Sequence, residues 1–200
     1  MTPQFKLIYD SVIVNTNRPN LVAETIQAIQ FETLFFHNRG KFQRDVREAI
    51  LTSTNGGALQ YRFSIPQDKR IREILAVRPV DVMGCLGKNL PELDILQSPA
   101  TRGRGYSWMA GNLTINVPYP ANTFSVLYLE FPLTGPDNMK SWIADLYPHY
   151  ISDAATARVL THREKSQASF YLAKVGSQSI PGSHVYELLN QNREVEIDDF

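Results

Sequence analysis

The four histidines, His37, His149, His162 and His184, are the side chains best suited to proton transfer or metal binding. No two of them, and no His with the single cysteine Cys85, stand at metal-ligand spacing, and no HExxH motif occurs. His149 and Asp153 lie four apart with Ser152 between them, which assembles the ingredients of a hydrolase. A nucleophile adjacent to its orienting acid on one helix is a poor geometry for a catalytic triad, and no GxSxG elbow is present. Surface or helix-end histidines are the simpler expectation, with no catalytic residue, no cofactor and no metal.

Cationic residues are the second source of chemistry. Arg39, Lys41, Arg44 and Arg47 cluster, with Asp45 and Glu48 interleaved, and Arg102-Gly103-Arg104-Gly105 forms a short basic run. Guanidinium groups pair with phosphate and with carboxylate alike, so such groups suit a phosphate or a neighbouring subunit's carboxylate. Solvated surface charge is the competing expectation. Lys+Arg and Asp+Glu both number 20, a formal net charge of zero. A protein built to wrap nucleic acid carries a basic excess, so tight DNA binding is not expected. No glycine loop ends in Lys-Ser/Thr, which argues against nucleotide binding. Asn112-Leu113-Thr114 fits a glycosylation sequon, but nothing in the chain suggests secretion.

The elements that position these groups follow from periodicity. Residues 5–14 are rich in Phe5, Leu7, Ile8, Val12 and Ile13 and read as a helix, with a strand as the alternative. Asn20 is a candidate cap for a second helix whose face is Val22, Ile26, Ile29, Thr33 and Phe36. Gly40 stands where a left-handed helix terminus is expected. Phe31, Phe35 and Phe36 cannot share one stripe, so that helix is expected to be covered on two sides, by another subunit or by the β region. The period then changes to two: Leu59, Tyr61, Phe63 and Ile65 alternate with polar residues, bounded by Asn55-Gly56-Gly57 and Pro66. Residues 71–77 form a further strand, 106–117 a hairpin turning near Gly111-Asn112, and 123–131 a strand buried on both faces. Residues 84–105, with four glycines and two prolines, read as the least ordered stretch.

The last third returns to helix. Ser141 caps a helix to about residue 162, which Pro148 should kink or split. Ala154, Ala155 and Ala157 allow a neighbouring helix to approach closely. Helices follow over 164–175 and 184–193, separated by the break from Gly176 to Gly182, and the chain ends in an acidic tail. The fold class is therefore α+β. A helical bundle comes from residues 1–50 and 137–193, a β-rich insertion spans about 55–133, and a tail covers 194–200, all in one domain. With 43% apolar residues a sizeable core is available. The opening Met1-Thr2-Pro3-Gln4-Phe5-Lys6 lacks the basic leader and apolar run of a signal peptide, and no stretch is long enough to span a membrane. One cysteine permits no disulfide within the chain, which fits a reducing compartment.

The order of segments resembles the head-to-tail adaptor, or gateway, proteins of tailed bacteriophages. The resemblance runs through Asn17-Arg18-Pro19-Asn20-Leu21, then Phe42-Gln43-Arg44-Asp45-Val46, then Ile65-Pro66 with Lys69-Arg70-Ile71-Arg72-Glu73-Ile74. It continues in Tyr106-Ser107-Trp108-Met109-Ala110-Gly111-Asn112-Leu113-Thr114-Ile115, Tyr128-Leu129-Glu130-Phe131-Pro132, Ser141-Trp142-Ile143-Ala144, Tyr147-Pro148 and Glu194-Val195-Glu196-Ile197. It covers about residues 17–175 and the tail, and the region 84–105 has no counterpart in it.

The resemblance implies a structural protein, not an enzyme. It implies a ring, usually of twelve copies, docked beneath the portal in the virion neck after DNA packaging, and made in the bacterial cytoplasm. Its expected partners are the portal protein, copies of itself, tail or nozzle proteins, and DNA passing through the channel without specific binding. It needs no cofactor. Candidate interface residues are Tyr186, Leu188, Leu189, Val195, Ile197 and Phe200, with the tail expected to order against the portal. Candidate channel or inter-subunit cations are Arg39, Lys41, Arg44, Arg47, Arg102 and Arg104. The competing readings are a tail-completion or stopper protein of the same neck, a small hydrolase using His149 or His162, and a regulatory binding module.

Overall fold

The structure, a computed structural model, describes residues 1–54, 59–64, 70–93, 103–109, 111–117, 119 and 121–192. It is an α+β fold with, among the described residues, six α-helices and two small antiparallel sheets, and divides into two compact units. No described helix is long and apolar enough to cross a membrane.

The helical unit takes residues 1–45 and, among the described residues, 131–192. Helix α1 (Pro3–Thr16) starts where the Thr2 hydroxyl accepts a hydrogen bond from the Phe5 amide, with Pro3 in the first turn, and stops at Asn17, whose φ is 51°. Its buried residues Phe5, Ile8, Val12 and Thr16 form one stripe. Helix α2 (Val22–His37) is capped differently from expectation. Leu21, not Asn20, is the N-cap and gives no side-chain bond. Its buried face is Thr25, Ala28, Ile29, Glu32, Thr33, Phe36 and His37, so the face predicted through Val22 is rotated and Val22 is exposed. The helix ends at Asn38 in a right-handed conformation, and the left-handed glycine expected at Gly40 is absent.

Pro148 splits the long C-terminal helix, as its missing N–H and ring bulk require. Helix α3 (Trp142–Leu146) is capped by the Ser141 hydroxyl, and α4 (Pro148–Leu160) begins on the proline itself. Helix α4 is the centre of the bundle, packed on α1, on α2 and on α5 (Lys165–Val175). Ala154, Ala155 and Ala157 are all buried and give its neighbours room to approach. Helix α6 (His184–Gln191), capped by Ser183, closes the unit.

The β-unit begins at Val46. Residues 46–50, expected to be helical, open strand β1 (Val46–Thr52), which pairs along its whole length with β6 (Thr123–Glu130). Backbone pairing with a central strand overrides the mixed charge pattern of Arg47 and Glu48. One sheet has the order β1-β6-β3, with β3 at Ile71–Val80, three residues longer than its apolar run suggests. The other has the order β2-β5-β4, from Gln60–Ser64, Asn112–Asn116 and Gly105–Met109. Met109 pairs with Asn112, and Gly111 has φ 82°, the left-handed value that a two-residue hairpin turn favours.

Strand β6 has both edges paired. It buries Phe124, Val126 and Tyr128 on one face and Ser125 and Leu129 on the other, as its uninterrupted apolar run predicts. The inner faces of both sheets share one core that includes Tyr61, Val77, Leu113, Ile115 and Phe124. Part of the stretch expected to be least ordered is tied down. Gly87 donates to the Pro79 carbonyl, Leu90 to that of Val77, and Tyr106 to that of Pro91, and Leu90 is buried in this core. Residues 94–102 lie outside the described residues, as do Asn55-Gly56-Gly57, Ile65-Pro66 and the tail from residue 193.

Candidate functional site

The most chemical-looking arrangement in the helical unit joins residues far apart in sequence. His37, on the last turn of α2, places Nδ1 3.0 Å from both carboxylate oxygens of Asp45, while its Nε2 lies 2.9 Å from the Ser141 hydroxyl. The Trp142 indole N–H donates to Asp45 Oδ1 at 2.8 Å. This is the connectivity of a Ser-His-Asp triad. Its setting is that of a structural knot. His37, Asp45 and Ser141 are 1%, 4% and 5% exposed. The Ser141 oxygen also accepts the Ala144 amide at 3.1 Å, which caps α3. All these groups are used if His37 donates through Nδ1 to Asp45 and accepts the serine proton at Nε2. The knot fastens the 3₁₀ turn at Gln43–Asp45 to the start of α3.

The histidines singled out by sequence acquire no such arrangement. His149 keeps an exposed edge, while partial desolvation of its ring, together with neighbouring His184, pushes its pKa below the usual value. Asp153 turns away to His184 Nε2 at 2.9 Å and to Lys174 at 3.5 Å. Burial alone would raise that carboxyl, but the His184 hydrogen bond and the Lys174 charge outweigh it and hold it below its ordinary range. Tyr150 donates to Glu187 at 2.6 Å, and burial, reinforced by this contact, drives its hydroxyl pKa upward. These bonds latch α6 and α5 to α4. His162 is exposed at the rim of an open cleft of about 540 Å³. Its walls carry Glu24, Gln27, Phe31, Arg158 and Arg163 and, among the described residues, no hydroxyl or thiol. The Arg158 guanidinium lies 3.6 Å from the centre of the Phe31 ring and pairs with buried Glu32. Burial raises the Glu32 carboxyl in spite of that arginine.

The predicted interface residues separate. Leu188 is fully buried in the helical core and belongs to folding, which corrects its assignment to a docking surface. Tyr186 and Leu189 are half-buried, and Leu189 packs on the same core. A helix of eight residues needs its apolar stripe to attach to the bundle at all, so burial of that stripe follows from its shortness. Val195, Ile197 and Phe200 lie outside the described residues, as does Arg102.

Among the cations, Arg39 covers the Phe35 ring at 3.9 Å and Arg44 faces the Trp142 ring at 5.3 Å. Lys41 is half-buried. Arg47 belongs to the β-unit and pairs with Glu130 at 3.2 Å, an acid that Arg70 also contacts. Interactions within the chain therefore occupy Arg39, Arg44 and Arg47. Arg104 is exposed at the start of β4.

Sequence reasoning missed a feature of the β-unit. Val80 and Leu86 form an antiparallel bridge, and between them the chain reverses at Asp81-Val82-Met83-Gly84. Asp81 Oδ1 accepts the amides of Met83 and Cys85, both at 2.8 Å. The Asp81 amide donates to the Cys85 carbonyl, and Gly84, at φ 81°, donates to the Asp81 carbonyl. Four hydrogen bonds thus set a turn whose tip holds Val82 and Met83 104% and 86% exposed. The sequence signal was available. Aspartate at the first turn position with glycine at the fourth marks a turn, and two large apolar residues between them are out of place in water. Against known proteins, no family model matches the chain and no curated protein is significantly similar to it.

Proposed function

We propose that this chain is a structural subunit of a tailed-phage neck. It is an adaptor that assembles as a ring beneath the portal, extends the DNA channel and connects the capsid to the tail. One observation carries the reading: large apolar side chains stand exposed on well-formed elements, as on a subunit whose surface other chains complete. Val82 and Met83 stand on a hydrogen-bonded turn, and Leu7 and Val14 on an outer stripe of α1 are 59% and 78% exposed. The order of segments in the sequence agrees with it. The buried Ser141-His37-Asp45 knot adds support, because its serine already serves as a helix cap.

Zero net charge suits a channel that DNA slides through. The portal, further copies of the chain, and tail or nozzle proteins are its proposed partners, with transient contact to DNA. The test is genetic. Phage assembled without this chain should accumulate packaged heads that lack tails, with infectivity restored when it is supplied in trans. Tailed, infectious particles made in its absence would remove the reading.

A further inference from the structure

Helix α6 is joined to α5 through a segment with a left-handed glycine at each end, Gly176 at φ 57° and Gly182 at φ 77°. It is eight residues long and buries Val185 and Leu188. A helix of that length does not persist in water without its seat. The seat on α4 is built from ionisable groups. His184 stacks on Tyr150 with ring centres 4.3 Å apart, and His149 meets the same His184 ring edge-on at 5.5 Å. His184 Nε2 reaches Asp153 at 2.9 Å, where Lys174 of α5 also points, and Tyr150 donates to Glu187.

The two histidines stand differently. A proton on His184 has the Asp153 carboxylate beside it. A proton on His149 faces the His184 ring instead. The other charged groups of the seat are Asp153 from α4, Glu187 from α6 and Lys174 from α5, which leave one negative charge when both histidines are neutral. One proton balances that charge. A second gives the seat a net positive charge and brings two cationic rings together. Desolvation of the ring and the neighbouring His184 accordingly hold the His149 pKa below its usual 6.5 in spite of Asp153 and Glu187. Tyr150 stays out of this balance, because burial and Glu187 push its hydroxyl upward.

We propose that α6 is a proton-sensitive latch, which a second proton on the His149–His184 pair releases from α4 while the rest of the bundle stays folded. The docked form favours a neutral His149, so the released form takes the proton more readily. The hold it contributes is present above pH 6.5 and is lost as pH falls through the lowered pKa. Asp153 acts later, because its own loss begins below 3.8. A short helix held at a glycine-bounded segment opens at lower cost than the whole fold. Its release uncovers Val185 and Leu188 and the apolar residues they pack on.

Amide hydrogen exchange on the full chain, read by mass spectrometry and corrected for the intrinsic rate at each pH, tests this between about pH 7.5 and 5. Wild type should lose protection in α6 across that range while α4 and β6 keep theirs. His149→Gln places a neutral side chain at that exposed position and should keep α6 protected throughout. Circular dichroism checks that the variant folds, and His149→Asn repeats the test if it does not. Equal α6 protection at both ends of the range, a loss shared by α4 and β6, or the same loss in the variant would overturn the proposal. No portal and no second copy enters the assay, so its outcome leaves the ring reading to its own test.

Discussion

In the helical unit, the groups that look like catalytic machinery, Ser141, His37 and Asp45, are buried and bonded to one another. In the β-unit, groups with no evident chemistry, Val82 and Met83, are held in water by a turn with every sign of design. Triad connectivity is therefore no evidence of a triad until the nucleophile is reachable and its oxygen unclaimed. Conversely, a surface is best recognised by apolar side chains that the backbone takes trouble to display.

If the knot is structural, breaking it should unfold the protein. Asp45→Ala leaves the His37 ring and the Trp142 indole N–H without their buried acceptor, an expected loss of about 3–5 kcal/mol in denaturant unfolding. Asp45→Asn keeps one acceptor and should lose less. Ala155→Leu, in the packed centre of α4, should cost about 1–3 kcal/mol by overpacking. Ser141→Ala removes the α3 cap and should cost about 1 kcal/mol. A loss no larger than that of an ordinary surface change would contradict the structural assignment.

Acid should act on the helical unit through Asp153 and His149. Both have folded pKa values below their ordinary 3.8 and 6.5. The stability each contributes is present above its unfolded value and lost as pH falls through its folded one. Thermal scans should therefore show a decline that starts below pH 6.5 and steepens below 3.8, and His184→Ala should blunt the lower step. At the other extreme, burial and the nearby Glu92 and Glu73 push Tyr106 of the β-unit to about 12. Its contribution should persist to pH 10 and vanish as pH rises through about 12. The smallest expected effect on stability is that of Val82→Asp, within about 0.5 kcal/mol of wild type because the side chain touches little of its own chain. A large loss there would mean that the tip belongs to the core.

The architecture was legible in the sequence wherever one period dominated. The helical stripes of α1 and α4, the alternation of β2 and β5, and the split at Pro148 are all local signals. Strand β1 was not legible, because Arg47 and Glu48 hide its alternation and only pairing with β6 defines it. The extent of α2 was read correctly, but its caps were misassigned for a related reason. Leu21 and Asn38 terminate it through backbone geometry, which neither Asn20 nor Gly40 reveals. The knot was beyond local reading, since its members lie 8 and 104 positions apart. Leu188 looked like a contact residue because its stripe is apolar, and the bundle turned out to cover it.

The central claim is that this chain works through assembly with a portal. The most direct measurement is its mass by light scattering, alone and then mixed with portal rings from the same phage. The account predicts a small species by itself and stoichiometric addition of a ring of copies to the portal. A chain whose mass is unchanged by the portal would contradict it.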